Sequence, residues 1–129
     1  MFGIIKKIKK YGVNIWMINQ RDLLLVPFPF SDQSGKKVRL VLVLSNNIYN
    51  KFGSDVVVCA ITSNLKINNY TGVIDERDLQ NGRLYEKSAI KVDSLLKINK
   101  SLIIKRIGVL NKAMFQKVVS ILNDIFNID

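Results

Sequence analysis

VRLVLVL (residues 38–44) and DVVVCAI (residues 55–61) are two runs dominated by β-branched and other apolar residues. Each run has the length of a strand and is bounded by Asn and Gly clusters that are typical of turns. Such nearly continuous apolar runs indicate buried strands rather than strands with one wet face. We therefore expect the two runs to be buried neighbours in one sheet.

Weaker strand signals lie on both sides of this pair. The segment of residues 62–87 is polar and rich in turn residues, so it is expected to be loop with one short strand inside it. Alternating or proline-terminated apolar patterns predict further strands over residues 23–27, 70–74, 88–93 and 102–108.

The C-terminal stretch predicts the only long helix of the fold. Asn111 can cap it, and Gly108 just before it indicates a bulge or a close backbone approach. Five or six short strands and one terminal helix predict a mainly β fold, a small and strongly bent antiparallel barrel. Apolar residues recur on one helical face at Phe115, Val118, Val119, Leu122, Ile125 and Phe126.

The length and charge of the chain limit its organisation and its partners. The 129 residues suffice for one domain, predicted over residues 20–129, preceded by a basic arm or short helix over residues 1–19. Twenty Lys and Arg residues against ten Asp and Glu give a net charge of +10, which favours a polyanionic partner such as nucleic acid. The alternative is that the excess lysine only keeps an apolar chain in solution.

The scarcity of cysteine and histidine excludes several classes of site. Cys59 is the single cysteine and lies in a buried run, which indicates a core thiol in a reducing, cytoplasmic compartment. The chain has no histidine, which excludes a Ser/His/Asp triad, a two-histidine ribonuclease site and zinc sites of the Cys/His type. We therefore expect no metal and no cofactor. We also expect no stable membrane association, since no apolar stretch reaches the roughly 20 residues needed to cross a bilayer.

RNA remains a substrate that such a chain could cleave, because RNA carries its own nucleophile in the 2′-hydroxyl. A protein that aligns this oxygen with the phosphorus and neutralises the phosphorane with Arg, Lys, Thr or Ser needs neither metal nor histidine. The expected products are a 2′,3′-cyclic phosphate and a 5′-hydroxyl.

Arg39 is the first catalytic candidate, because it follows a flexible basic loop and its guanidinium can make two bonds to one phosphate. Its alternative is an ordinary exposed strand arginine. Thr62 and Ser63 end a buried strand, so their hydroxyls have a rigid support, although Thr-Ser at a strand end is also common turn chemistry.

Lys91 and Asp93 form the second candidate pair. Their i, i+2 spacing places a cation and a carboxylate on one face of a strand, where they could exchange protons with a substrate or simply form a solvated ion pair. The basic loop of residues 31–37 and the residue after the Thr-Ser pair supply the RNA-binding candidates Gln33, Lys36, Lys37 and Asn64.

The order of these pieces resembles the MazF/PemK toxins. The resemblance rests on DLLLVPFPFSDQSGKKVR (residues 22–39) followed by LVLVLS (residues 40–45), on AITSN (residues 60–64), and on residues 95–110 with the final helix. It covers roughly residues 20 to 126, and the ordered set is more specific than any single motif.

The resemblance implies an SH3-like barrel, a homodimer, cleavage of single-stranded RNA at short preferred sequences, and inhibition by a cognate antitoxin. By position, Arg39 matches the family's phosphate-stabilising arginine and Thr62 its catalytic threonine, with Ser63 beside it. Lys91 and Asp93 fall where some members use an Arg-x-Asp acid and base pair.

Three positions depart from the family pattern. Leu40 replaces the proline that usually follows the arginine, Arg21 replaces the glycine of a Gly-Asp pair, and Lys91 replaces arginine. The main alternative is therefore a catalytically inactive barrel of the same family that binds RNA or protein. A further alternative is an interaction module whose basic surface binds an acidic protein tail.

Overall fold

A computed structural model describes residues 18–27 and 38–129 of the chain. The strands of these residues are β1 (Asp22–Pro27), β2 (Val38–Val43), β3 (Asp55–Thr62), β4 (Thr71–Ile74), β5 (Leu79–Gly82), β6 (Ser88–Asn99) and β7 (Lys105–Leu110). The α-helices are α1 (Asn47–Phe52) and α2 (Lys112–Ile125), and short 3-10 helices span Glu76–Asp78 and Lys100–Leu102. No helix in these ranges is long and apolar enough to cross a membrane. The predicted N-terminal arm lies outside the described residues except for its last two positions.

The strands form one antiparallel sheet in the order β4-β6-β3-β2-β1-β7-β5. The two runs that predict buried neighbours are β2 and β3, and they pair directly, with Leu42 opposite Cys59. The sheet curls into a half-barrel against which the C-terminal helix packs. The predicted mainly β fold with a bent antiparallel sheet and a terminal helix is therefore confirmed.

The central strands are apolar over most of their length because both faces of the sheet are buried there. Leu23 on β1 and Leu42 on β2 belong to the helix-side core, whereas their neighbours Leu24 and Val41 belong to the core on the opposite face. Burying one such side chain contributes roughly 1.5–3 kcal/mol. The helix-side core also contains Cys59, Ile61, Ile74, Leu84, Ile90, Val92, Leu110 and three residues of α2. The opposite core consists of Ile18, Leu24, Val26, Val41, Val43, Val56, Val58, Ile98 and Ile103.

Helix α2 begins as predicted but buries a narrower face than predicted. Asn111 caps it, because its side-chain oxygen accepts a hydrogen bond of 2.8 Å from the backbone N–H of Met114. Val119 and Phe126, expected on the apolar face, are 37% and 67% exposed. Position 119 is rotated about 100° from position 118, so it leaves the stripe that touches the sheet. The fully buried residues of the stripe are Met114, Phe115 and Val118.

The segment of residues 62–87 contains more structure than predicted. Besides β4, it forms a 3-10 helix at Glu76–Asp78 and the edge strand β5, which pairs with β7. Helix α1 was not predicted either, since it has only six residues and leaves Ile48 and Phe52 exposed. β5 is held by its pairing with β7, which is distant in sequence, whereas α1 is capped locally by Asn46, whose side-chain oxygen accepts a hydrogen bond from the backbone N–H of Tyr49.

Strands β6 and β7 also differ from their predicted limits. β6 continues past Asp93 to Asn99, and β7 begins only at Lys105, because residues 100–102 form a 3-10 helix. The expected irregularity at Gly108 is confirmed: the register of β1 and β7 shifts beside it, and it packs closely on Gly82 of β5. Gly82 has φ +99°, and a Cβ there would collide with the Gly108 backbone.

Candidate active site

The strand register brings Arg39 and Thr62 together. Leu40 pairs with Ile61, so the preceding residue of β2, Arg39, lies level with Thr62, the last residue of β3. Both residues are half-buried, and both line the same depression of about 500 Å³. Two strand ends with extensive ladders on either side thus hold a guanidinium and a hydroxyl in fixed positions.

Lys91 joins this depression from β6. It pairs with Ala60 on β3, two residues before Thr62, so Lys91 and Thr62 lie on the same face of the sheet. The depression, called here the catalytic depression, is lined by the predicted residues Arg39, Thr62, Asn64 and Lys91, and also by Lys66 and Asn68.

The hydroxyl of Thr62 also takes part in turn chemistry. Its oxygen accepts a hydrogen bond of 3.1 Å from the backbone N–H of Asn64, and the Asn64 side chain in turn accepts one of 3.2 Å from the N–H of Lys66. These bonds fix the hydroxyl oxygen and leave its proton able to donate to a bound group. The turn interpretation and the site interpretation of Thr62 are therefore compatible.

Asp93 is exposed but does not line the catalytic depression. The reason is an irregularity in β6: Ala60 pairs with Lys91 while the adjacent Cys59 pairs with Leu95, so three β6 residues bulge out between the two pairs. The simple alternation of side chains expected for Lys91 and Asp93 ends at this bulge, and no ion pair within the described parts of the chain joins the two side chains.

The pKa of the Cys59 thiol is raised to about 12, mainly because the thiol is buried and to a lesser extent because the Asp93 carboxylate lies near it. Cys59 is thus an inert core thiol.

Ser63 faces a second depression, of about 620 Å³, that shares Arg39 and Thr62 with the first. We call it the flanking pocket. The loop between β5 and β6 contributes Arg83, Tyr85 and Glu86 to it, and β7 contributes Lys105 and Arg106. The sequence pattern did not predict these residues. The alternation of exposed cations with an aromatic residue after the Asn81-Gly82 turn was the available signal.

The remaining predicted RNA-binding residues are Gln33, Lys36 and Lys37, which lie outside the described residues. Among the residues that are described, no group of three or more His, Cys, Asp or Glu side chains could hold a metal ion.

The opposite end of the same strands carries a different arrangement of charge. Asp22 is buried at the start of β1, and its carboxylate accepts hydrogen bonds from Arg106 (3.1 Å) and from the backbone N–H of Asn19 (2.8 Å). Burial raises the pKa of the Asp22 carboxyl above 3.8, although these two partners oppose the shift. Arg21 has φ 80°, and its guanidinium donates to the Leu110 carbonyl (2.8 Å) and to Gln80 (3.0 Å).

Known proteins share both the sequence pattern and the fold. Residues 19–126 match the family described as PemK-like, MazF-like toxin of type II toxin-antitoxin system. A mycobacterial endoribonuclease in complex with its cognate antitoxin superposes with a TM-score of 0.70, at 16% identity over 87% of this chain and 97% of that chain. No curated protein sequence matches the chain.

Two further solved structures give the same result. The Mycobacterium tuberculosis toxin MazF-mt6 has a TM-score of 0.67 at 18% identity over 84% of this chain and 99% of its own. A chain of the MazE-MazF structure from Deinococcus radiodurans has a TM-score of 0.67 at 18% identity over 87% of this chain and 98% of its own. At identities this low, the structural similarity establishes a shared fold and nothing more.

Proposed function

Since the chain belongs to the PemK-like, MazF-like toxins of type II toxin-antitoxin systems, we propose that it is a toxin that cleaves single-stranded RNA as a metal-independent endoribonuclease. The observation that carries this proposal is the meeting of Arg39 and Thr62 at adjacent strand ends, with Lys91 in the same depression. A guanidinium, a hydroxyl and an ammonium around one depression form a site suited to a phosphate.

The reaction is an internal displacement at phosphorus. The ribose 2′-oxygen attacks the phosphorus and loses its proton, while the bond to the 5′-oxygen breaks and that oxygen gains a proton. Arg39 neutralises the charge that develops on the phosphorane, and Thr62 donates a hydrogen bond to it. Ser63 lies beside Thr62 at the edge of the site.

Lys91, which lines the same depression, is proposed to protonate the leaving 5′-oxygen. Asp93 is the carboxylate that the family resemblance supplies for accepting the 2′-hydroxyl proton, and its position outside the catalytic depression makes it the lesser of the proposed catalytic residues. Asn64 and the loop residues Gln33, Lys36 and Lys37 are proposed to contact the RNA around the cleaved bond.

A purified chain should cleave a long single-stranded RNA in the presence of EDTA and leave 2′,3′-cyclic phosphate and 5′-hydroxyl ends. A matched oligonucleotide with 2′-deoxyribose at the cleaved position should bind and stay intact, because it lacks the nucleophile. Activity that appears only with added divalent metal contradicts the mechanism. Binding without cleavage identifies the inactive relative, and neither binding nor cleavage identifies a protein-interaction module.

We also propose a homodimer and a cognate antitoxin as partners in the cytoplasm. The mycobacterial endoribonuclease was solved with its antitoxin and the Deinococcus MazF with MazE. On this chain, α1 exposes 72% of Ile48 and 79% of Phe52, and apolar side chains exposed in this way are typical of an interaction surface. Sedimentation at about 20 μM, a concentration at which ordinary interfaces hold, should show a dimer. A monomer would contradict the homodimer.

A further inference from the structure

The flanking pocket is continuous with the catalytic depression. Arg39 and Thr62 line both, so the proposed catalytic pair forms a ridge between two depressions of about 620 and 500 Å³. An RNA strand that crosses this ridge with its cleaved phosphate at Arg39 and Thr62 places a neighbouring nucleotide over the flanking pocket. The larger depression has the size of a ligand pocket, which is about 300–1,000 Å³.

The walls of the flanking pocket suit a nucleobase. Its floor is apolar and is formed by the side chains of Leu25, Leu40, Ile61, Leu84 and Ile107. Tyr85 stands at the rim with 87% of its surface exposed, and the Arg83 guanidinium lies 5.7 Å from the centre of its ring. An aromatic ring and a guanidinium that already contact each other form a surface on which a base can stack.

The charge around the pocket suits the phosphates that flank such a base. Four cations, Arg39, Arg83, Lys105 and Arg106, line the pocket together with one carboxylate, that of Glu86. Two of them also have acidic partners outside the lining, because Arg106 is bonded to Asp22 and Arg83 lies 3.9 Å from Glu76. Lys105 is exposed and forms no ion pair within the residues that the structure describes. A side-chain hydrogen bond with Tyr85 and the charge of Glu76 raise the pKa of Arg83 further above its already high ordinary value.

We propose that the flanking pocket binds one of the two nucleotides adjacent to the cleaved phosphate, with its base stacked on Tyr85. The proposal rests on the ribonuclease function above and assigns part of its sequence preference to residues 83–86. Lys105 holds the phosphate of this nucleotide. Glu86, which only accepts hydrogen bonds when ionised, selects bases with an exocyclic amino group. Uracil is disfavoured because two carbonyl oxygens flank its ring N–H and repel a carboxylate.

The test measures cleavage of an RNA pool with randomised positions on both sides of the cut, followed by sequencing of the new ends. Tyr85→Ala should abolish the base preference at one position next to the cut and leave the other positions unchanged. Its kcat/KM on the preferred substrate should fall about 10-fold, the scale of one lost base stack. Tyr85→Phe keeps the ring and should keep both properties, and Glu86→Gln should change the preferred base at the same position only.

Tyr70→Ala is the matched control, because Tyr70 is 41% exposed and lines neither depression. It should behave as the wild type. An unchanged preference at every position in Tyr85→Ala, or an equal loss in Tyr70→Ala, overturns the proposal.

The experiments distinguish an error in the proposed base-binding role of the flanking pocket from an error in the proposed ribonuclease function. If the wild type binds RNA without cutting it, the catalytic proposal fails. The affinity for a short RNA, measured by fluorescence anisotropy, then tests whether the flanking pocket binds a base. An affinity about 10-fold weaker in Tyr85→Ala but not in Tyr70→Ala then supports it. Equal affinities overturn it, and a chain that binds no RNA overturns both proposals.

Discussion

The two ends of the β1-β2-β3 sheet use charge in opposite ways. At the start of β1, Asp22 is buried and its Oδ2 accepts hydrogen bonds from Arg106 and Asn19, while its Oδ1 has no hydrogen-bond partner among the described residues. At the start of β2, Arg39 faces two open depressions with lysines around them. The sheet therefore holds a buried carboxylate bonded to Arg106 of β7 at one end and an open cationic surface at the other.

The largest expected effect comes from Arg39. Arg39→Ala should lower kcat by about 100-fold or more, the scale seen when one preorganised donor to a transition state is lost. Its unfolding free energy should change by less than about 0.5 kcal/mol, because a half-exposed residue at a strand end supports little packing. Single-turnover cleavage and urea unfolding measure the two quantities.

Two further variants separate catalysis from simple phosphate binding. Arg39→Lys keeps the charge but loses the two-pronged donor, so it should restore binding more than turnover. Lys66→Ala, in the same depression, should only weaken binding and reduce its salt dependence. If excess RNA restores Arg39→Ala as fully as Lys66→Ala, Arg39 is only a phosphate contact.

A smaller effect, on stability, is expected at the closed end. Asp22→Ala should lower the unfolding free energy by about 2 kcal/mol, less than for a fully buried pair, because the Arg106 side chain keeps 32% of its surface exposed and can turn to water. Asp22→Asn keeps an acceptor oxygen, so its unfolding free energy should fall clearly less than that of Asp22→Ala. Equal losses in the two variants would mean that the acceptor has no role.

The Asp22 pair also predicts a pH dependence. Because burial raises the pKa of this carboxyl, the folded chain holds its proton more tightly than the unfolded chain does. The additional stability that comes from this tighter proton binding is complete below the ordinary pKa of 3.8 and is lost as pH rises through the native pKa. As pH rises above about 4, wild-type stability should therefore fall relative to Asp22→Asn. A difference that is constant with pH would contradict the raised pKa.

The smallest effect is expected at Arg21. Glycine adopts a φ of 80° without strain, whereas an L-residue there loses about 1 kcal/mol, which the two hydrogen bonds of the Arg21 guanidinium offset. Arg21→Gly should thus lie within about 1 kcal/mol of the wild type, and Arg21→Ala should be the least stable of the three. Thermal unfolding of the three proteins gives the order, and an alanine variant as stable as the glycine variant would exclude strain at this position.

The sequence predicts those elements and site residues whose position depends on a local pattern. The apolar runs of β2 and β3 locate the centre of the sheet, and their ends locate Arg39 and Thr62. Asn111 predicts the start of α2 through its capping chemistry.

The parts that depend on distant contacts could not be predicted. Asp22 and Arg106 are 84 positions apart, and nothing near either residue specifies the other. β5 has the polar sequence LQNG and forms a strand only because β7 lies beside it. The bulge after Lys91, which takes Asp93 out of the catalytic depression, arises from pairing with β3 and has no signal within β6 itself.

The packing of Gly82 on Gly108 has a consequence for how RNA preference can diversify in this chain. Side chains at these two positions would collide with the facing backbone, so the root of the loop between β5 and β6 tolerates little substitution. Leu84 holds the middle of the loop in the helix-side core, whereas Arg83, Tyr85 and Glu86 project outward. Evolution or laboratory selection can therefore exchange these three residues without repacking the barrel. Under the proposed function, a change in the preferred RNA sequence would then leave the packing of the barrel intact.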